Sequence, residues 1–145
     1  PLAYDPAKAD PGSADGFVIP LIQDLTVTAS PGIVRYSVLD NASSKAFTTV
    51  NENSISGNML IDEEAFFGDA TATGNQVAID GLFSTSTGKT EVSFSVAFEG
   101  STAGDYFLYG TGFISGLAPS ASMDAAIWLS SFELAVNGEL TKSTV

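Results

Sequence analysis

The sequence predicts a mainly β protein, an antiparallel β-sandwich or barrel with one packed α-helix, and three observations carry that expectation. Residues 91–99 alternate strictly, with Val92, Phe94, Val96 and Phe98 on one face and Glu91, Ser93, Ser95, Ala97 and Glu99 on the other, the period of a strand buried on one side. Residues 126–136 repeat the pattern, setting Phe132, Leu134 and Val136 against Ser131, Glu133 and Ala135. Clusters of Gly, Pro, Asn and Ser punctuate such runs along the whole chain, as turns between strands do. At 145 residues and 44% apolar, with ten Phe, the chain is expected to form one domain with a sizeable core.

In chain order, residues 1–16 are broken by Pro6, Pro11-Gly12 and Gly16 and hold little apolar mass. They read as an extended N-terminal arm, either a loose terminus or a segment that orders against a neighbouring subunit, with Tyr4 as its candidate contact. Residues 17–29 are a first strand and 33–39 a second, joined across Ser30-Pro31-Gly32, so the two are expected to form a hairpin. Residues 40–52 exceed a tight turn and hold an apolar centre. They read either as a short edge strand or as a projecting loop whose Phe47 and Val50 bury against another subunit.

Residues 53–61 form the next strand candidate, with Ile55, Met59 and Ile61 at even spacing. The acidic cluster Asp62, Glu63, Glu64 and Asp69 lacks the alternating ligand order and distal Glu of a calcium loop. It reads instead as one helical turn over 62–67 with acids at its favourable N-terminal end. Residues 73–83 are the main helix expectation, capped by Thr73 with Gln76 completing a capping box, and weakened by Gly81 by about 1 kcal/mol. Residues 84–89 read as the loop that ends it. The segment 105–142 then reads as strand runs over 106–114 and 126–136, separated by a turn region around Pro119, which cannot sit in a central strand. Asn137-Gly138 reads as the closing turn. Trp128, the single tryptophan, suits either a sheet face or an intersubunit anchor.

Five Lys+Arg against 17 Asp+Glu give a net charge of −12. That balance argues against a surface that grips phosphates, though not against a nucleic acid passing nearby. With no Cys, disulfides and thiolate metal sites are excluded, and with no His the commonest general base and metal ligand is missing. Catalytic Ser-His-Asp and Cys-His arrangements are therefore impossible. Ser-Lys pairs fall only in polar loop-like segments, and no glycine-rich phosphate loop precedes a helix. No enzyme, cofactor or metal is expected. The apolar run over 17–22 is too short to span a membrane, and Pro1 suits a trimmed initiator Met, so an unexported, cytoplasmically made chain is the expectation.

The segment 105–142 also resembles the C-terminal signature of tail tube (major tail) proteins of long-tailed double-stranded DNA bacteriophages. The residues that carry the resemblance are Gly110, Gly112, Phe113, Ile114, Ser115, Leu117, Ser120 and Ala121, followed by Asp124, Ala126, Gly138, Leu140 and Thr141. It covers the last quarter of the chain well and the middle loosely. The resemblance implies a tail-tube-like fold, homo-oligomeric six-fold rings stacked into a conduit, and placement in a virion tail assembled in the host cytoplasm. Its implied partners are a tape-measure protein inside the tube and tail terminator and distal tail proteins at its ends, with DNA passing through without specific binding and no membrane anchor. On this reading Glu91, Ser93, Ser95 and Glu99 are expected to line the lumen. Tyr4, Phe47, Val50 and Trp128 are expected at contacts between subunits or rings. Repulsion by such a wall would reach about one Debye length, near 8 Å at physiological salt. The alternatives are a capsid decoration protein, a carbohydrate-binding β-sandwich module, or the inner-tube protein of a bacterial contractile injection or type six secretion system.

Overall fold

The computed structural model describes residues 1–5, 9–37 and 43–145. The expected antiparallel, mainly β architecture is present as a six-stranded sheet in the order β1-β6-β7-β8-β5-β2, plus a separate two-stranded sheet of β3 and β4. Its strands are β1 (Leu2–Ala3), β2 (Ile22–Ser30), β3 (Ile33–Tyr36), β4 (Lys45–Thr48), β5 (Glu52–Leu60), β6 (Val92–Ala97), β7 (Tyr106–Ser122) and β8 (Ala125–Thr144). Two helices, α1 (Glu63–Phe67) and α2 (Gln76–Thr87), lie between β5 and β6 in sequence. Residues from opposite edges of the sheet, Leu2 and Phe94 on one side and Ile22 and Leu25 on the other, line a single cavity of about 110 Å³. The sheet is therefore rolled toward itself as an open barrel.

One face of the sheet is apolar and forms the core. Ile55, Met59, Val92, Phe94, Ile114, Phe132 and Leu134 cluster there with Phe66 of α1 and Val77 and Leu82 of α2. The period-2 pattern places them, because Ile55 pairs with Leu134 and Leu134 with Ile114 across three neighbouring strands. Asp62 caps α1 by accepting from Ala65 N at 3.0 Å, as its acidic start predicts. For α2 the cap is Asn75 rather than Thr73, and the helix runs on to Thr87 through the expected loop. Gly81 breaks it, at φ 80° and ψ 164°. A Cβ there would strike Gly68 N and the Phe67 carbonyl carbon, so the close approach of the two helices requires glycine and converts a predicted weak point into a packing joint.

Several expectations are corrected. β2 and β3 do not form a hairpin, since β2 pairs with β5 and β3 with β4. β7 does not stop before Pro119, which lies within the strand opposite Ser130. The partners of β7 on β6 end at Gly112, so β7 is an edge strand by the time it reaches Pro119, where a missing N–H is tolerated. The hairpin turn falls instead at Met123 and Asp124, between strands ending at Ser122 and starting at Ala125. Asn137-Gly138 is no terminating turn. β8 continues past it, and the register moves from Thr111–Asn137 to Tyr109–Thr141, which places the extra residues of a bulge there. The described residues of the N-terminal arm are built into their own protomer, with Leu2 paired to Phe94 and Leu2, Ala3 and Ala9 buried, while positions 6–8 of the expected arm lie outside the described residues. Positions 38–42, including the first residues of the expected 40–52 loop and the end of the expected second strand, lie outside the described residues.

Candidate assembly surfaces

The face of the sheet opposite the core is polar across β2, β5 and β8. Asp24 pairs with Asn58, and Thr26 with Ser56. Ser56 pairs in turn with Glu133 and Asn58 with Ser131, so these six side chains share one surface. They line a shallow groove of about 340 Å³. Asn58 donates to Asp24 from its backbone N at 2.9 Å and from Nδ2 at 2.9 Å, which fixes the acid at the sheet edge. β2, β5 and residues 125–136 of β8 contain no Lys or Arg. The surface is thus acidic and hydroxylated, with nothing to hold a phosphate.

The residues expected on this surface divide. Glu91 and Glu99 are exposed, and Glu91 accepts from Asn137 Nδ2 at 2.9 Å. Hydrogen bonds from Asn137 and then Thr111 hold its carboxyl below the usual value of 4.5. Ser93 and Ser95, by contrast, are only 2% and 7% exposed, and their hydroxyls have no hydrogen-bond partner. β1 adds to β6 at this end, with Ala3 opposite Ser93, and Ser95 N donates to Pro1 O at 3.0 Å. The alternation of residues 91–99 identified the two faces but could not reveal that these two hydroxyl positions are buried in the folded chain. The residues that carry this face in the open, Asp24, Thr26, Ser56, Asn58, Ser131 and Glu133, were missed as a group because their proximity depends on the pairing of β2 with β5. The alternation of Ser131 and Glu133 was the available signal.

β2 itself is an edge. Its nine residues pair with β5 on one side, and no other described strand lies beyond it in the sheet. An uncovered edge of that length is a template for another strand.

Apolar side chains also stand in solvent at two further places. The β3–β4 hairpin shows Val34, Tyr36 and Phe47 on one face, because Val34 pairs with Phe47 and Tyr36 with Lys45. The Tyr36 and Phe47 rings sit 5.9 Å apart, and Val50 beyond them is 85% exposed. At the far end of the β7–β8 hairpin, Ile127 and Trp128 (56% exposed) stand over α1. With Ile61, Phe66, Phe67, Pro119 and Glu63 they line a cleft of about 600 Å³. Phe47, Val50 and Trp128 are therefore exposed, as contact residues must be. Tyr4 is not free in the same way, since its hydroxyl donates to Asp80 at 3.0 Å and lies 3.4 Å from Thr85 Oγ1. Burial raises the Tyr4 pKa, against a lowering contribution from Thr85 and a raising one from Asp80.

Of the acidic cluster, Asp62 caps α1, and Asp69 accepts from the Thr71 hydroxyl and backbone N. Among the described residues no group of three acids is gathered to hold a metal ion. No helix of the described residues is long and apolar enough to cross a membrane.

No protein-family model matches the sequence, and no curated protein matches it. Solved structures do match in fold. The SPP1 tail tube, determined by solid-state NMR and cryo-EM, aligns at a TM-score of 0.64 with 15% identity, over 88% of this chain and 67% of the tube protein. A chain of the virion of a native gene transfer agent particle aligns at 0.56 with 15% identity, over 88% of both chains. A chain from the tail of an empty gene transfer agent particle, computed with helical refinement and C6 symmetry, aligns at 0.53 with 15% identity over 85% of this chain and 82% of that one. The polypeptide thus has the fold of tail tube proteins across most of its length.

Proposed function

We propose that the protein is the repeating structural subunit of a phage-type tail tube, assembling as six-fold rings that stack into a conduit for DNA. The observation that carries this reading is the likeness to the SPP1 tail tube over 88% of the chain. The geometry supports it independently. The uncovered edge of β2 offers the backbone pairing that joins copies around a ring. The polar face of β2, β5 and β8 offers an acidic, cation-free wall for the lumen, with Asp24, Thr26, Ser56, Asn58, Ser131 and Glu133 facing the axis. Glu91 and Glu99 extend the acidic character of the wall, while Ser93 and Ser95 contribute only where assembly uncovers them. Phe47, Val50 and Trp128 bury against neighbouring subunits, and Tyr4 holds its own arm in place. A tape-measure protein during assembly and terminator and distal tail proteins at the ends complete the virion tail, which forms in the host cytoplasm. No catalytic step belongs to this role.

Negative-stain microscopy of the purified protein across a concentration series tests the proposal. Rings of uniform diameter that stack as concentration rises are expected. A population of monomers at every concentration overturns it.

A further inference from the structure

We infer that the β3–β4 hairpin of one copy seats in the cleft between α1 and the end of the β7–β8 hairpin of another. This rests on the tube reading and names the receptor that the reading leaves open. Each half is incomplete alone. Val34, Tyr36 and Phe47 form an apolar face that is left exposed. Phe67, Ile127 and Trp128 likewise stand exposed around a cleft whose volume falls in the range that accepts a few large side chains.

Charge makes the match directional. Residues 33–50 carry Arg35 and Lys45 against Asp40 alone, a net charge of +1, so the remaining residues hold the other −13 of the total −12. The hairpin is a cationic segment of an acidic chain. Lys45 stands on the same face as Val34, Phe47 and Tyr36, because it pairs with Tyr36. The cleft has the opposite sign at its rim, where Glu63 is a lining residue and Asp62, Glu64 and Asp69 are its neighbours in sequence with no cation among residues 62–69. Seating the hairpin places aromatic and aliphatic side chains against Phe67 and Trp128 while Lys45 meets the Glu63 rim. The same cleft repels every other acidic surface of the chain, which sets the direction of stacking. Because the two patches differ, the contact is head to tail, and it propagates as a stack wherever the rotation between copies does not close a ring.

The absence of cysteine from the chain makes cross-linking selective. The test is the double variant Phe47→Cys/Trp128→Cys, both positions exposed, assembled and then oxidised. Its fold is checked by circular dichroism, and single-cysteine variants serve as controls. A reducible ladder of covalent oligomers from the double variant, absent from both singles, is expected. Filaments that yield no ladder overturn the seating while leaving the tube reading intact. Covalent dimers without larger species keep the seating but overturn the tube. In the same assay Lys45→Glu and Glu63→Lys each lower the filament yield at least about tenfold, and a mixture of the two variants, or the double reversal in one chain, restores it. Failure of the reversal to restore assembly overturns the pairing of those charges.

Discussion

Asn75 is the side chain on which the N-terminal arm and the second helix both depend, and replacing it with Ala should cost about 3 kcal/mol. Asn75 is 7% exposed and makes three hydrogen bonds. Its Oδ1 accepts from Val77 N at 2.8 Å, which caps α2. Its Nδ2 donates to Leu2 O and to Asp15 O, both at 2.7 Å, which ties the two ends of the arm to the helix start. Loss of the cap costs about 1 kcal/mol. Each of the two donated bonds contributes about another 1 kcal/mol. Leu2 O keeps a second donor, Phe17 N at 3.0 Å, so its desolvation penalty is avoided. For a chain of this size the total corresponds to a fall in melting temperature of about 6–12 °C. Urea denaturation should show a lower midpoint with an unchanged slope, and hydrogen exchange should quicken in residues 2–3 before it quickens in β7 or β8. Asn75→Ser, which keeps a capping oxygen but is too short to reach the two carbonyls, should recover only about 1 kcal/mol. A loss below about 1 kcal/mol for Asn75→Ala would refute the claim that this side chain holds the arm.

Other consequences follow from the same geometry. Gly81→Ala places a Cβ against Gly68 N and the Phe67 carbonyl carbon at a backbone position of positive φ and should cost at least about 2 kcal/mol, read as a lower urea midpoint. Phe66→Ala, which empties a nearly fully buried position of the core, should cost about 3–5 kcal/mol in the same assay. Tyr4 has its pKa raised above 10.0, chiefly by burial, so the fold favours the neutral phenol. That contribution is fully present below the unfolded value and is lost as pH rises through the folded one. Stability should therefore fall on the alkaline side, and Tyr4→Phe should flatten the fall in urea midpoints measured across that range. Ser56→Lys/Ser131→Lys puts two cations on the polar face. Tubes of this variant should retain DNA in a salt-sensitive way, whereas wild-type tubes should not.

Much of the fold was legible because its signals are local. The alternations over 91–99 and 126–136 marked out β6 and much of β8, and Asp62 marked the start of α1. The failures share a cause, which is that the deciding neighbour is distant in sequence. Pro119 argues against a central strand, yet β7 has outrun β6 at that point and is an edge. Asn137-Gly138 carries a turn signal that the long β7–β8 ladder absorbs as a bulge. Ser30-Pro31-Gly32 separates β2 from β3 as expected, but β2 finds a better partner in β5. Exposure was legible where it follows from a polar setting, as at Phe47 and Val50. It was misjudged at Ser93 and Ser95, which alternate onto the polar face yet are buried.

The most direct test of the tube proposal is a cryo-EM reconstruction of filaments grown from the purified protein. Six-fold rings are expected, with Asp24, Ser56, Asn58, Ser131 and Glu133 facing the axis. A protein that forms no filament, or a tube whose lumen is lined by another face of the subunit, would contradict it.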